Sequence, residues 1–141
     1  MATFLLKTEP DDYSFDDLVR DKRTHWSGVR NPTALMHMRS VRKGDEVFIY
    51  HTGKERRIAG LARVVSDVYE DPENPGLTAK GDLKGPIFDI EPVEAAGARY
   101  TLADIKGDER FKDFDLVRLS RLSAMPVPPE MDRILRKKTG L

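Results

Sequence analysis

Short apolar runs separated by turn-forming residues extend along the whole chain, and they predict a protein built largely from strands. Residues 47–50 are apolar on both faces, which is typical of a central strand. Gly60 interrupts a β-rich segment and predicts a bulge or a tight bend there. The strands predicted in this way are residues 4–6, 47–50, 58–69, 87–91 and 116–119.

Two short helices are predicted from the residues that would cap them. Ser14 with Asp17, and Thr101 with Asp104, have the capping-box spacing that begins a helix. These strands and helices do not alternate in a βαβ rhythm, so a doubly wound parallel sheet is not expected. We predict the α+β class, with a curved, mainly antiparallel sheet or small barrel and short helices at its rim. The chain length of 141 residues predicts one domain, residues 1–141.

Two longer helices are predicted with one apolar face each. Asn31 and Pro32 have the residue types favoured at the N-cap and first position of a helix, which would run through Met38. The last helix is predicted over residues 129–138, with Gly140 just past its end. The side chains expected to be buried are Leu35, Met36 and Met38 in the first of these helices and Met131, Ile134 and Leu135 in the second.

Composition narrows the classes of protein and of site. The chain has no cysteine, which excludes disulfides, zinc–thiolate sites and cysteine nucleophiles and fits a reducing compartment. No apolar run approaches the roughly 20 residues of a membrane span. The first residues do not have the pattern of a signal peptide. We therefore predict a soluble, cytoplasmic protein without a membrane partner.

Charge is balanced overall but segregated along the chain. The 24 basic and 24 acidic residues argue against strong sequence-independent binding to nucleic acid. Residues 20–43 nevertheless hold seven basic residues against Asp21 alone, whereas residues 66–75 hold four acidic residues and no basic one. The basic segment is either solvated surface or the rim of a site for a weakly held polyanion.

No enzyme template is present in the sequence. The chain lacks a G-x-S-x-G motif, a P-loop and a dinucleotide-binding glycine motif. Its histidines, His25, His37 and His51, stand singly and lack the spacing of a metal-binding pair. The paired carboxylates at residues 11–12 and 16–17 flank a helix start, where the helix dipole favours acids. We therefore predict no catalytic residue, no metal and no cofactor.

The single tryptophan, Trp26, lies in a polar segment where neither a helical nor a strand pattern accounts for it. Gly28 and the Asn31-Pro32 pair are typical of turns. We interpret this segment as a loop that presents the flat indole ring for a ligand to stack on.

Five short motifs occur in order over nearly the whole chain. They are K-T-E-P from Lys7, W-x-G-V-R-N from Trp26, G-D-x-V-x-x-Y-H from Gly44, G-x-A-x-V from Gly60 and R-L-S-x-M-P-V from Arg121. Each motif alone is weakly specific, but the ordered set resembles the EVE domain family. The resemblance implies a PUA-like fold, a twisted and bulged β-barrel with helices around it, related to YTH and ASCH domains. It also implies a non-enzymatic module that reads modified bases in DNA, above all 5-methyl- or 5-hydroxymethylcytosine.

Roles for individual residues follow from this resemblance. Trp26 would stack on an extruded base, with Tyr50 as a second wall. Glu9 would accept a hydrogen bond from the cytosine N4 amino group, and Val29 would line a recess for the added methyl group. The base-binding residues expected on the matched motifs are Lys7, Thr8, Glu9, Trp26, Ser27, Val29, Asn31, Tyr50, His51 and Arg121, and the phosphate-contacting residues are Arg30, Arg39 and Arg42.

Alternatives stay open at this stage, for residues and for function. Glu9 and Arg121 could instead brace strand ends, Tyr50 could belong to the core, and Asn31 could serve only as an N-cap. The nucleic acid could be RNA, although DNA is favoured. The chain could also be a small ASCH-like hydrolase or ribonuclease in which Lys7, Thr8 and Glu9 transfer protons. A monomer is favoured.

Overall fold

Seven strands form one mixed, curved sheet in the computed structural model, which describes residues 1–141. The strands are β1 (Thr3–Thr8), β2 (Thr24–Trp26), β3 (Glu46–His51), β4 (Arg57–Val64), β5 (Tyr69–Glu70), β6 (Pro86–Ala95) and β7 (Ala124–Pro126). Their order across the sheet is β2–β6–β4–β3–β1–β7, and β5 pairs with β6. Every strand pair is antiparallel except β1 with β3.

Five short helices surround this half-barrel. They are α1 (Phe15–Asp21), α2 (Pro32–Arg39), α3 (Leu102–Lys106), α4 (Asp115–Arg118) and α5 (Pro129–Thr139), with a 3₁₀ turn at Glu109–Phe111. Helix α2 contacts both β7 and β6, so it lies across the open side of the sheet. The predicted α+β class, with a curved, mainly antiparallel sheet and helices at its rim, is confirmed. None of the helices is both long enough and apolar enough to cross a bilayer.

The centre of the sheet follows directly from the hydrophobic pattern. All six residues of β3 are buried, because β1 and β4 flank it and side chains cover both of its faces. The parallel pairing of β1 with β3 places Lys7 opposite Tyr50 and Thr8 opposite His51. Parallel strands end at the same edge of a sheet, so the polar residues that end both strands are brought together.

The capping and bulge predictions are confirmed in detail. Both capping boxes form, and the Asn31 side chain accepts hydrogen bonds from the backbone of α2. Next to Gly60 the β3–β4 register shifts by one residue, which is a β-bulge. Gly60 itself is required by packing, since an added Cβ would lie 2.5 Å from the Phe15 ring.

Three predictions of local structure are wrong. Residues 116–119 do not form a strand, because most of them belong to α4, where Arg118 pairs with Asp115 and Leu116 is buried. Met36 is 53% exposed, since α2 turns only one narrow face towards the sheet. The segment 58–69 is not one strand, because β4 ends at Val64.

Candidate functional site

A cavity of about 580 Å³ opens where β1 and β2 end. We call it the Trp26 cavity. It brings together seven of the residues predicted from the sequence: Lys7, Thr8, Glu9, Trp26, Ser27, Val29 and Arg30. Its other lining residues are Asp12, Tyr13, Thr24, His25, Gly28 and Ser123. The volume lies within the roughly 300–1,000 Å³ range typical of small-ligand sites.

Trp26 lines this cavity, but it does not lie in a loop as predicted. It is the last residue of β2, pairs with Phe88 of β6 and is only 7% exposed. A strand of three residues is too short for alternation to reveal it in the sequence. The indole is therefore part of the hydrophobic core and at the same time part of the cavity wall. Its core contacts hold the ring in a fixed position at the cavity wall.

The main-chain polar groups of the segment after Trp26 have no hydrogen-bond partners in the protein. None of the backbone N–H groups of residues 27–30 donates a hydrogen bond within the protein, and none of their carbonyl groups accepts one. Gly28 has φ +80°, a left-handed conformation that suits glycine. The Val29 side chain packs against the core from this segment. Four consecutive backbone donors are thus available to a ligand beside the indole.

Glu9 is held at the wall of the cavity by neighbouring groups. The Thr52 hydroxyl donates to Glu9 Oε2 at 3.2 Å, and the Asp11 backbone N–H lies 3.4 Å from Oε1. Gly53 closes the space behind the carboxylate, because an added Cβ there would lie 2.7 Å from Oε2. Glu9 does not form an ion pair with Lys7 or Arg121, so its carboxylate retains capacity to accept further hydrogen bonds.

Lys7 and Thr8 bond to backbone groups rather than to each other. Lys7 Nζ donates to the Ser120 carbonyl at 3.0 Å and lies 5.9 Å from the centre of the Tyr50 ring. Burial lowers the pKa of Lys7 from its ordinary value of 10.5. The Thr8 hydroxyl donates to the Tyr13 carbonyl at 2.6 Å.

Tyr50 and His51 lie outside the Trp26 cavity. Tyr50 lines a neighbouring cavity that shares Lys7 with the first, and burial raises the pKa of its hydroxyl. His51 is buried, where its Nε2 accepts a hydrogen bond from the Phe15 backbone N–H at 3.0 Å and its Nδ1 lies 3.0 Å from Glu55 Oε1. This arrangement places the ring proton on Nδ1 and makes His51 a brace for the start of α1.

Asn31 and Arg121 also lie outside the Trp26 cavity, although both line one adjacent hollow of about 350 Å³. The side-chain Oδ1 of Asn31 accepts from the backbone N–H groups of Thr33 and Ala34, so this side chain is committed to capping α2. Arg121 is exposed and forms no ion pair, which does not fit the internal brace considered from the sequence.

Only one of the three predicted phosphate contacts lines the Trp26 cavity. Arg30 lines the Trp26 cavity and is exposed without an ion-pair partner. Arg39 Nε donates to the Leu83 carbonyl at 2.8 Å, which ties α2 to the long loop before β6. Arg42 precedes β3, at the end of that strand opposite Tyr50 and His51.

Sequence reasoning missed several lining residues. Tyr13 directly precedes the predicted N-cap Ser14, and its hydroxyl donates to Asp21 at 2.9 Å. Ser123 reaches the cavity because the unpredicted strand β7 pairs with β1, and its carbonyl accepts from the Lys7 backbone N–H. The capping box was a usable signal for Tyr13, since it places the preceding residue at the start of α1, whereas Ser123 depends on a long-range pairing.

Similarity to known proteins agrees with this geometry. A family model described as the EVE domain matches residues 2–137. The chain belongs to the EVE domain family. Among characterised relatives, human thymocyte nuclear protein 1 is 28% identical over 155 residues, which covers 90% of this chain and 69% of that protein. The EVE fold thus accounts for nearly the whole chain.

Solved structures of EVE proteins superimpose closely on this one. Rpa0253 from Rhodopseudomonas palustris, solved by NMR, is 34% identical with a TM-score of 0.87 and covers 99% of this chain and 94% of that one. Human THYN1, crystallised in complex with DNA containing 5-methylcytosine, is 26% identical with a TM-score of 0.85, with 98% of each chain covered. An ASCH protein from Zymomonas mobilis, 14% identical with a TM-score of 0.66, covers 99% of each chain and shares the fold.

Proposed function

We propose that this EVE domain is a non-enzymatic nucleic-acid-binding module that holds one extruded, modified base in the Trp26 cavity. The base class that fits best is 5-methyl- or 5-hydroxymethylcytosine in DNA. The observation that carries the proposal is the combination of a fixed indole, a carboxylate and four unbonded backbone N–H groups around one cavity of about 580 Å³. The human relative bound to 5-methylcytosine DNA supports the same ligand class.

The chemistry of cytosine matches these groups one by one. A base must leave the duplex before its edges can be read, which costs a few kcal/mol. Stacking on Trp26 offsets about 1–3 kcal/mol of that cost. The Glu9 carboxylate accepts from the N4 amino group, and the backbone N–H groups of residues 27–30 donate to N3 and O2. Val29 supplies the apolar contact for the group at C5.

The proposal is tested by comparing oligonucleotides that differ at one base. Quenching of Trp26 fluorescence reports binding, because the chain has no other tryptophan. Single-site 5-methylcytosine and 5-hydroxymethylcytosine duplexes are compared with an unmodified duplex and with the matching RNA. Tighter binding of the modified DNA is expected. Equal affinity for modified and unmodified DNA would contradict recognition of the modified base. Tighter binding of RNA would show that the ligand is RNA rather than DNA.

A Glu9→Gln variant tests the predicted hydrogen bond to N4. Loss of a good base contact corresponds to about 1–3 kcal/mol, so we expect at least a fivefold weaker binding of the modified DNA. Glu94→Gln is the control, since Glu94 is exposed on β6 and does not line the cavity. If both variants bind the modified DNA as tightly as the wild-type protein does, Glu9 does not contact the base.

A hydrolase is the second candidate, and the lowered pKa of Lys7 is the observation that favours it. A lysine acts as a base only when it is desolvated, and burial of Lys7 provides this. However, Lys7 and Thr8 donate to backbone carbonyls instead of forming a nucleophile–base pair. Turnover of a modified nucleoside that disappears in Lys7→Ala would establish the enzyme, whereas binding without turnover supports the reader.

A further inference from the structure

A second cavity lies on the other side of Lys7 from the Trp26 cavity, and its lining is cationic. It measures about 290 Å³, and its charged side chains are Lys7, Arg56 and Lys106. No aspartate or glutamate lines it, and none of the three cations forms an ion pair within 4.0 Å. We call it the cationic cavity. The Glu9 carboxylate contacts Thr52 and Gly53 of the lining, so the groups at this hollow carry three positive charges and one negative charge, which still favours an anion.

The cationic cavity also contains a hydroxyl group without a partner. Tyr50 is 3% exposed and lines the cavity, yet its hydroxyl forms no hydrogen bond within the protein. The hydroxyl is not sealed from solvent, because no buried side-chain nitrogen or oxygen lacks a hydrogen bond. The Tyr50 hydroxyl is therefore free to donate a hydrogen bond to a ligand in the cavity.

Arg56 is held beside this cavity in a costly conformation. Its φ of +47° is left-handed, a conformation that is unfavourable for a non-glycine residue. Its carbonyl accepts from the Leu102 N–H at 2.7 Å, and its Nε donates to the Gly53 carbonyl at 3.1 Å. A strained residue fixed from both sides often has a functional position.

The charges on the two sides of the Trp26 cavity differ, and they favour nucleic acid on the side of the cationic cavity. Asp71 and Glu73 line a hollow of about 370 Å³ that Ser27 also lines, on the side formed by the loop between β5 and β6. Like charges repel a phosphate backbone from that side. Leu102, Leu116 and Val117 form the apolar wall of the cationic cavity, where low polarity strengthens charge interactions.

We propose that the cationic cavity binds a phosphodiester group of the same nucleic acid whose modified base enters the Trp26 cavity. This inference rests on the proposed function. Lys7 lines both cavities, so it would lie between the base and the phosphate. Arg56, Lys106 and the Tyr50 hydroxyl would donate to the phosphate oxygens. Arg39 and Arg42, expected at phosphates from the sequence, have no part in this site.

The test compares two charge-matched double variants. Arg56→Gln/Lys106→Gln removes two cations from the cavity. Arg133→Gln/Lys137→Gln removes two exposed cations of α5, neither of which lines the Trp26 cavity or the cationic cavity. Affinity for a single-site 5-methylcytosine oligonucleotide and for an unmodified one is measured over 50–200 mM salt, together with affinity for the free nucleoside 5-methylcytidine. Circular dichroism confirms that both variants are folded.

Loss of the cavity cations should weaken binding of the modified and the unmodified oligonucleotide by the same factor. The slope of log Kd against log salt should fall by up to about 0.7–0.9, since this is the contribution of the one phosphate contact that both cations make. The affinity for the nucleoside and the preference for the modified base should not change. The control variant should bind as the wild-type protein does. Equal slopes for the two double variants would overturn the phosphate assignment.

Failure of base reading would look different from failure of the phosphate site. If the wild-type protein binds both oligonucleotides equally, the proposed recognition of the modified base is wrong. The salt slopes of the two double variants still decide whether the cationic cavity binds phosphate. If the wild-type protein binds the nucleoside but the two double variants have the same slope, only the phosphate site fails. If it binds no oligonucleotide, both proposals fail.

Discussion

At the scale of single residues, Gly53 shapes the Trp26 cavity although it does not line it. It has φ +71°, and any Cβ would lie 2.7 Å from the carboxylate oxygen of Glu9. The residue therefore meets two separate demands, one from its own backbone and one from its neighbour. Only the first is shared with glycines in open turns, such as Gly81 with φ +87° and no atom within 4 Å of an added Cβ.

Gly53→Ala and Gly81→Ala separate these two demands. Both should lower the free energy of unfolding by about 1 kcal/mol, because alanine is disfavoured at positive φ. Only Gly53→Ala should also move Glu9 and weaken binding of modified DNA. The measurements are urea denaturation and fluorescence titration. Equal binding by the two variants would show that Glu9 tolerates displacement.

Lys7 gives the expected nucleic-acid binding a pH dependence. Burial lowers its pKa in the folded protein, so between that value and 10.5 the unfolded chain binds more protons and stability rises with pH. Binding follows the opposite direction, because phosphate attracts the charged lysine. We expect affinity to fall as pH rises from 7 towards 10, measured by titration at constant salt.

Lys7→Arg is the control for this pH dependence, since arginine stays charged throughout the range. The variant should bind with a flatter pH profile. Tyr50, Arg56 and Lys106 share the cavity with Lys7, and the pKa of Tyr50 is itself raised by burial. An unchanged profile in Lys7→Arg would assign the pH dependence to a group other than Lys7.

The sequence predicted site residues best where chemistry is concentrated in a short motif. Lys7 and Thr8 end the strand β1 and Glu9 follows it directly, so their grouping at one sheet edge could be inferred. The positions of Tyr50 and His51 could not, because successive residues of a strand point to opposite faces and a bulge shifts the register beside Tyr50. Gly53 was missed because its importance depends on a distant side chain.

At the scale of elements, His51 connects the end of β3 to the start of α1. Its Nε2 accepts from the Phe15 N–H, which is one of the helix N-terminal donors that lack an intrahelical partner. Tyr13, two residues earlier, lines the Trp26 cavity. The histidine therefore affects the cavity through the helix that it anchors.

His51→Phe should remove this anchor. The Phe15 N–H would be left buried without an acceptor, at a cost of about 1–3 kcal/mol in the free energy of unfolding. Binding of modified DNA should also weaken, because the start of α1, next to Tyr13, loses one of its anchors. His37→Phe on α2 is the matched control, and its effect should stay within about 0.5 kcal/mol. A His51→Phe protein as stable as the control would contradict the role of the histidine.

Element types were predictable where several signals agreed and failed where an element was very short. The capping boxes of α1 and α3 combine a hydroxyl, an acid and a fixed spacing. Strands β2 and β7 have three residues each, and two of the four residues in α4 are Leu and Val. Such segments take their conformation from tertiary pairing, which propensity does not encode.

At the scale of the whole molecule, the sheet remains open and α2 lies across its opening. Ala34 is fully buried on this helix, and its small side chain allows close approach to the sheet. The Asn31 cap fixes where the helix begins, directly after the unbonded segment 27–30. Residues 27–30, which form one wall of the Trp26 cavity, are thus held at both ends, by β2 and by the capped helix α2.

The two outermost strands of the sheet, β2 and β7, are its shortest members along the main path. Exposed strand edges are templates on which other chains add, and natural proteins limit this hazard by keeping edges brief or by placing proline there. Here β7 ends in Pro126, and each of these two strands has only three residues. Beyond β2, residues 91–95 of β6 pair on one side only, and that stretch contains Pro92 and two glutamates, which oppose the addition of another strand. The fold can therefore leave its half-barrel unclosed for a ligand without presenting a long main-chain template for aggregation.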